Sequence, residues 1–230
     1  MPTNLASLAN KLSLKFKNSH LVENAFVHRS FLNESSKFSE SNERLEYLGD
    51  AVLELATSDY LYKKYPSFQE GMLTNLRASL VRTESLALMA QELGLEEHIQ
   101  MSRGEEATGG RSNISILANT TEAFLGAIYL DLGFPPCIKL LESYLFPHLS
   151  AILEDETYKD NKSHMQEIAQ ARFKQTPRYD LLSETGPDHD KVFTVVATIG
   201  SKKYGVGKGN SKQAAQEAAA KATLEILDHT

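Results

Sequence analysis

Apolar side chains recur at helical spacing through most of the first two thirds of the chain. They return every three or four residues in four stretches, where long runs that alternate between apolar and polar residues are missing. The four stretches are residues 45–65, 72–93, 114–131 and 138–153. A period near 3.6 residues is typical of amphipathic helices, so the pattern predicts an all-helical first domain.

The pattern changes after EDETYKDNKS, a polar and charged segment with no apolar periodicity. A helical stretch at about 162–174 is followed by three alternating stretches, RYDLLSE, KVFTVVATIG and KKYGVG, and by a closing helical stretch, SKQAAQEAAAKATLEIL. Alternation over such lengths is typical of β-strands. We therefore predict a mainly α-helical domain over residues 1–152, a linker over 153–161 and an α-β-β-β-α (α+β) module over 162–230.

Composition narrows the class of protein. Of the 230 residues, 41% are hydrophobic and 23% are charged, which is ordinary for a soluble globular protein. No segment has the pattern of a signal peptide, and no apolar run approaches the length of a membrane span. A lone Cys137 allows no internal disulfide. We expect a cytoplasmic protein with no membrane partner.

The formal charge of −6 is unevenly distributed along the chain. Residues 160–230 carry ten basic and nine acidic side chains, a net charge of +1. With 24 basic and 30 acidic side chains in all, the remaining residues carry 14 and 21, a net charge of −7. An acidic part and a nearly neutral part indicate two units with different tasks.

The stretch NERLEYLGDAVLEL, residues 42–55, places carboxylates inside an otherwise apolar helical pattern. At about 100° per residue, Glu43, Glu46 and Asp50 fall in one narrow stripe, and Glu54 falls beside them. An apolar set occupies the opposite side of the predicted helix. Its members are Leu45, Leu48, Val52 and Leu55. Taken alone, the acidic stripe fits a solvated surface.

A second helical stretch, ILANTTEAFLGAIYLD, favours a cation site over a merely solvated face. It places Asn119 and Glu122 one turn apart, and Gly126 leaves space beside them one turn further along. Oxygen ligands on two facing helices suit Mg²⁺, which also removes the repulsion between the carboxylates. His28 lacks the spacing of a zinc site with other His or Cys residues, so we interpret it as structural.

These stretches resemble the signature of the ribonuclease III family. The similarity is strongest in NERLEYLGDAVLELATSDYLYKKYP. The segments HRSFLNE upstream, and EGMLTNLRASLV and GEEATGGRSNISILANTTEAFLGAIYLD downstream, match the family pattern in order. The last part of the chain resembles a double-stranded-RNA-binding domain, so the resemblance covers essentially the whole sequence.

The resemblance implies an endoribonuclease that hydrolyses phosphodiester bonds of double-stranded RNA with Mg²⁺, for which Mn²⁺ can substitute. The expected products carry 5′-phosphate and 3′-hydroxyl ends with short 3′ overhangs. The expected substrates are precursors of ribosomal, messenger and other RNAs. The expected assembly is a homodimer, with double-stranded RNA as the other partner.

The family positions transfer to individual residues of this sequence. The implied metal ligands are Glu46, Asp50, Asn119 and Glu122. The implied catalytic residues are Asp50, Glu122 and Glu43. Glu70 matches a further acidic position that faces substrate at the cleavage site. Tyr47 replaces an aromatic residue, usually Phe, that belongs to the dimer interface.

Asn119 departs from the family pattern, because most members have Asp at this position. An amide offers its oxygen to a metal but brings no negative charge. We therefore expect the site to keep its geometry and to bind Mg²⁺ more weakly.

The C-terminal module carries its own implied substrate contacts. They are Gln166, His189, Lys208, Ser211 and Lys212. By resemblance, Gln166 and His189 would lie in minor grooves, whereas Lys208 and Lys212 would hold phosphate at the start of the last helix, with Ser211 as its N-cap. Gln213 replaces a frequent second lysine, which would weaken one phosphate contact.

Two other functions remain open at this point. A catalytically weak or silent double-stranded-RNA-binding relative would keep the fold without the full metal site, and Asn119 fits that hypothesis. A helical protein–protein scaffold would use the acidic face without RNA, which the C-terminal module disfavours. A Mg²⁺-dependent cleavage assay on a plain duplex separates all three.

Overall fold

The computed structural model describes residues 5–154, 161–187 and 191–228. The chain divides into two compact units, Met1–Tyr158 and Lys159–Thr230. Helix ends at Glu154 and resumes at Asn161, so most of the predicted linker over 153–161 lies outside the described residues.

The described part of the first unit is helical. Its α-helices are α1 (Leu5–Lys11), α2 (Ser19–Asn24), α3 (Glu43–Lys64), α4 (Glu70–Leu80), α5 (Thr83–Leu93), α6 (Arg103–Ala107), α7 (Ile114–Leu132), α8 (Phe134–Tyr144) and α9 (Leu149–Glu154). Short 3₁₀ turns lie at Arg29–Asn33, Leu95–Glu97, Gly110–Ser112 and Phe146–His148. Helix α7 is central, because α3 and α5 both pack against it.

Two of the apolar stretches contain a break that their spacing does not show. Residues 72–93 form α4 and α5, separated where Arg82 takes an extended backbone (ψ 157°) as the N-cap of α5. Residues 138–153 are interrupted by the 3₁₀ turn that contains Pro147, which has no backbone N–H to continue an α-helix. The helices on the two sides of each break pack on different neighbours. At the first break α4 packs on α3 and α5 on α7, and at the second α8 packs on α7 and α9 on α4.

The second unit has the predicted α-β-β-β-α order. Its elements are α10 (Asn161–Phe173), β1 (Arg178–Thr185), β2 (Val192–Ile199), β3 (Lys202–Gly209) and α11 (Lys212–Asp228). The strands form an antiparallel sheet in the order β1-β2-β3. The predicted fold class, a mainly α domain followed by an α+β module, is confirmed.

Glycines on β3 explain how close α11 approaches the sheet. A Cβ added at Gly205 or Gly207 would overlap backbone atoms of α11 near Thr223 and Ala219. The facing residues of α11 include Ala215, Ala219 and Ala220, all fully buried. Small side chains on both elements therefore allow helix and strand backbones to touch, which the alanine-rich composition of the closing helix reflects.

No helix among the described residues is long and apolar enough to cross a membrane.

Candidate active site

The site begins with two glycines at the crossing of α3 and α7. A Cβ on Gly49 would overlap the carbonyl oxygen of Glu122, and a Cβ on Gly126 would overlap the carbonyl oxygen of Leu45. Both glycines are buried, and the two backbones meet where each helix lacks a side chain. The prediction that Gly126 leaves open space beside the oxygen ligands is therefore wrong, because the backbone of α3 fills that place. Gly49, its partner in the crossing, was not singled out from the sequence.

This close crossing brings together carboxylates from two helices. Burial raises the pKa of Glu122 to about 7, and the negative charges of Asp50 and Glu46 act in the same direction. Burial also raises the pKa of Glu46, as do the nearby charges of Glu43 and Asp50. The structure thus places four of the predicted site residues, Glu43, Glu46, Asp50 and Glu122, within electrostatic reach of one another.

Neutral groups orient two of these carboxylates. The side chain of Asn119 forms a hydrogen bond with Glu46, which lowers the Glu46 pKa against the effect of burial. The Ser41 hydroxyl donates to Oε2 of Glu43 at 2.8 Å. Asn119 therefore reaches the cluster as predicted, and its contact there is with a carboxylate on the opposite helix.

The donor set fits a hard divalent cation. Carboxylate and amide oxygens are the ligands that Mg²⁺ accepts, and the raised pKa of Glu122 reports negative charge that a cation would neutralise. Among the residues that the structure describes, no three Asp, Glu, His or Cys side chains already converge in a preassembled metal site. The crossing of α3 and α7 places these carboxylate and amide side chains near one another.

A cavity of about 350 Å³ opens beside the cluster. It is lined by acidic, amide and hydroxyl side chains together with one histidine and one arginine. The lining residues are His28, Arg29, Asn42, Glu43, Glu46, Glu105, Asn113, Ser115, Ile116 and Asn119. The cavity is wide enough for part of a nucleotide and is continuous with Glu43, Glu46 and Asn119.

Glu54 lies on the acidic side of α3, as its spacing predicts, but its charge is engaged elsewhere. Its carboxylate pairs with Nε of Arg77 at 2.8 Å. Nη1 of Arg77 also donates to the Ser58 hydroxyl at 2.8 Å, which ties α4 to α3. Glu54 is therefore one member of an interhelical ion pair, a role that the spacing along α3 alone does not show.

The opposite side of α3 differs from its prediction. Leu45 and Val52 are buried and Leu48 is partly buried, but Leu55 is 60% exposed. Tyr47 is 83% exposed and lies on the same flank of the helix. The predicted apolar back is therefore wrong for Leu55, because α3 carries a separate exposed apolar stripe between its buried and acidic faces.

Glu70 belongs to helix α4, whereas the residues of the cluster belong to α3 and α7. It is exposed in the first turn of α4.

In the second unit, four of the five residues implied to contact substrate can be located. Gln166 is exposed on α10, Lys208 is exposed on β3, and the Ser211 hydroxyl accepts from the Ala214 N–H at 3.1 Å as the N-cap of α11. Nζ of Lys212 lies 3.5 Å from a carboxylate oxygen of Glu184. The fifth residue, His189, lies outside the described residues.

Comparison with known proteins identifies both units. Residues 18–149 match the family described as ribonuclease-III-like, and residues 161–227 match the double-stranded RNA binding motif. The chain is 44% identical over 219 residues to ribonuclease 3 of Streptococcus pneumoniae, covering 95% of this chain and 94% of that protein. The chain belongs to the ribonuclease III family. It is accordingly an endoribonuclease of the ribonuclease III type.

Other members of the ribonuclease III family give the same result. Ribonuclease 3 of Geobacter metallireducens is 42% identical over 215 residues, covering 93% of this chain and 87% of that protein. The solved nuclease domain of ribonuclease III from Campylobacter jejuni is 40% identical, with a TM-score of 0.58. That match covers 63% of this chain and 95% of the solved domain.

Proposed function

We propose that this ribonuclease III is a Mg²⁺-dependent enzyme that cleaves double-stranded RNA to 5′-phosphate and 3′-hydroxyl ends with short 3′ overhangs. The observation that carries the proposal is that Glu46, Asp50 and Glu122 lie within electrostatic reach of one another at the α3–α7 crossing. Precursors of ribosomal and other structured RNAs suit such an enzyme, because recognition of A-form shape needs little base sequence.

Four side chains would hold the metal. They are Glu46, Asp50, Asn119 and Glu122. When bound, Mg²⁺ supplies an activated water and stabilises charge on the scissile phosphate and on the leaving 3′ oxygen. Glu43, fixed by Ser41, stands at the rim of the cavity where it can orient substrate.

In the second unit, exposed polar and basic side chains would bind the duplex by its shape. Gln166 and His189 would contact minor grooves, and Lys208 and Lys212 would contact phosphate near the N-terminus of α11. These contacts hold the duplex, whereas the cluster on α3 and α7 cuts it. Glu70 would contact RNA that is bound across the nuclease domains of two subunits.

We also propose that the active form is a homodimer. Along α3, three large side chains are strongly exposed on one flank, Tyr47 (83%), Leu55 (60%) and Tyr62 (73%). A contiguous exposed apolar stripe marks a protein–protein surface. A two-fold dimer would present one acidic cluster to each strand of the duplex.

A single-turnover cleavage assay on a plain RNA duplex tests the proposal. Glu122→Gln keeps the size of the side chain and removes its charge. We expect cleavage to fall by about 100-fold or more, since a neutral group in place of this carboxylate weakens metal stabilisation of the transition state by about 3 kcal/mol. Duplex affinity in a gel shift should stay within a few-fold, because binding contacts are spread over phosphates and grooves. A wild-type protein that binds but never cleaves, at any Mg²⁺ concentration, would establish the silent RNA-binding alternative.

A further inference from the structure

His28 is held in one orientation beside the acidic cluster. Its ring lines the same cavity as Glu43 and Glu46. Its Nδ1 lies 2.8 Å from the Ser30 hydroxyl oxygen and 3.4 Å from the Ser30 backbone nitrogen. The Ser30 hydroxyl oxygen in turn accepts a hydrogen bond from the Ser102 backbone N–H at 3.0 Å. The ring is therefore anchored through its Nδ1 edge.

These contacts fix the tautomer of the neutral ring. A backbone N–H can only donate, so Nδ1 of His28 accepts from Ser30. Because the Ser30 hydroxyl oxygen already accepts from Ser102, its own hydrogen is available for Nδ1 as well. A neutral imidazole with Nδ1 as acceptor carries its proton on Nε2. Among the described residues, no side chain or carbonyl accepts a hydrogen bond from that Nε2–H.

The cavity around this donor is rich in acceptors. Three carboxylates, Glu43, Glu46 and Glu105, line it, and Arg29 is the one lysine or arginine among its lining residues. A phosphate is an acceptor only and would be repelled by these carboxylates. A hydroxyl group can accept from the His28 Nε2–H and donate to a carboxylate at the same time. The lining therefore matches a sugar hydroxyl better than a second phosphate.

We propose that His28 is a specificity-determining residue whose Nε2–H donates to the 2′-hydroxyl of a nucleotide next to the scissile phosphate. This inference rests on the proposed cleavage of double-stranded RNA at the neighbouring cluster. The 2′-hydroxyl is the group that distinguishes RNA from DNA at a given position. His28 thus makes the cleavage rate depend on the sugar at one nucleotide.

Two substitutions separate this role from a structural one. His28→Asn keeps a polar atom near the position of Nδ1, where it can still cap the 3₁₀ turn at Arg29–Asn33, but it cannot reach the position of Nε2. His28→Gln places an amide N–H near the position of Nε2 and weakens the cap. A structural role would be better served by Asn, and sugar recognition by Gln.

The experiment measures single-turnover cleavage by the full-length protein with Mg²⁺. The substrates are an all-RNA duplex and duplexes that carry one 2′-deoxynucleotide at successive positions on each side of the scissile phosphate. For the wild type, we expect one position at which the 2′-deoxy sugar slows cleavage by about 5- to 20-fold, the loss typical of one buried hydrogen bond. His28→Asn should cleave the all-RNA duplex more slowly than the wild type by a similar factor. A 2′-deoxy sugar at that position should then cause no further loss of rate. His28→Gln should keep most of that sensitivity.

Each contrary result has a distinct meaning. If His28→Asn and the wild type lose the same cleavage rate on the 2′-deoxy substrate, the inference is wrong. It is also wrong if His28→Asn cleaves the all-RNA duplex at the wild-type rate while His28→Gln cleaves it slowly and is less stable. A further test replaces one phosphate of the substrate by a methylphosphonate. If His28→Asn loses the sensitivity of the wild type to this change and keeps its sensitivity to the 2′-deoxy sugar, His28 contacts a phosphate and the inference is wrong. If the wild type cleaves no RNA duplex, the proposed function has failed instead. Thermal unfolding of both variants shows whether their folds are intact.

Discussion

At the scale of single residues, Glu122 is the side chain on which burial and charge act most strongly together. Its pKa of about 7 has burial as its largest cause, followed by the charges of Asp50 and Glu46. A carboxyl that resists ionisation in the metal-free protein is one that gains most from a bound cation. The acidic cluster is therefore a source of instability until it is occupied.

This predicts a pH dependence of stability in the metal-free protein. The pKa of Glu122 is about 7 in the folded state against its ordinary value of 4.5, so the folded state binds the proton more tightly. The stabilisation that protonated Glu122 gives to the folded state is fully present below about pH 4.5 and is lost as the pH rises through 7. Because solvent partly screens this carboxyl, the free energy of unfolding should fall by about 1–2 kcal/mol over this pH range.

Urea unfolding in EDTA between pH 5 and 8 measures this effect. The free energy of unfolding should fall with rising pH in the wild type and should vary less in Glu122→Gln, which cannot ionise. A wild type and variant with parallel profiles would contradict the assignment. Added Mg²⁺ should restore stability mainly at the high end of the range, where the ligands are charged.

Asn119 predicts a second measurable effect. The site has one negative charge fewer than with Asp, and Glu54 is not free to replace it because it pairs with Arg77. The attraction lost toward Mg²⁺ is on the order of 1–3 kcal/mol at an effective dielectric near 20. We expect the native protein to need more Mg²⁺ for its half-maximal rate than Asn119→Asp.

A metal titration of single-turnover cleavage makes the comparison. Mn²⁺ should narrow the gap between the two proteins, because it binds more tightly than Mg²⁺ to sites with fewer charges. Identical Mg²⁺ requirements would mean that the charge at this position never mattered. If the native protein is inactive at all Mg²⁺ concentrations and Asn119→Asp is active, the amide of Asn119 prevents cleavage.

The residues of the cluster could be predicted from helical spacing and family resemblance, whereas their surroundings could not. The period of α3 and α7 gives the face on which Glu46, Asp50 and Glu122 lie. It does not show that Arg77 comes from α4 to pair with Glu54, or that Ser30 fixes the ring of His28. Such contacts depend on how separate elements pack, which a periodic pattern leaves open.

At the scale of elements, the α3–α7 crossing depends on having no side chain at Gly49. Its Cβ position overlaps the carbonyl oxygen of Glu122, so the helices must separate if any side chain is added. The sequence motif contains the glycine, but the need for it appears only when the second helix is in place. The helix breaks at Arg82 and Pro147 are likewise visible only in the folded structure, since the apolar spacing continues across both.

Gly49→Ala should therefore be strongly destabilising. Overpacking in a rigid core costs about 1–3 kcal/mol, which outweighs the gain of about 0.5–1 kcal/mol that Ala usually brings to a helix. Gly71→Ala is the matched control, because Gly71 lies in helix α4 with no atom within 4 Å of its Cβ position. Thermal or urea unfolding should show opposite signs for the two variants, and a stable Gly49→Ala would contradict the close crossing.

At the scale of the whole molecule, the division of charge matches a division of tasks. The acidic first unit carries the carboxylates of the proposed metal site, and the nearly neutral second unit carries the exposed Lys208 on β3 and Lys212 at the start of α11. The order of elements in the second unit was predictable, because its helical and alternating periods follow one another along the chain. For the first unit the helical class was predictable, but the breaks between its helices were not. The exposed apolar flank of α3 was not, because spacing alone assigned Leu55 to the core.

That flank gives the last prediction, which concerns assembly. Leu55 is 60% exposed on the stripe with Tyr47 and Tyr62, so Leu55→Glu should place a charge in the proposed dimer interface without disturbing the core of a single subunit. A buried, unpaired charge costs several kcal/mol in an interface. We expect sedimentation to show a monomer, and we expect cleavage of both strands to be lost with it.

Leu88→Glu is the control for this variant. Leu88 is 53% exposed on α5, off the stripe, so a similar change in charge there should leave both the sedimentation and the cleavage of the protein unchanged. Thermal unfolding of both variants checks that each subunit still folds. If Leu55→Glu sediments as a monomer at the assay concentration and still cuts both strands at the wild-type rate, one acidic cluster serves both strands in turn, and the stripe on α3 is not required for activity.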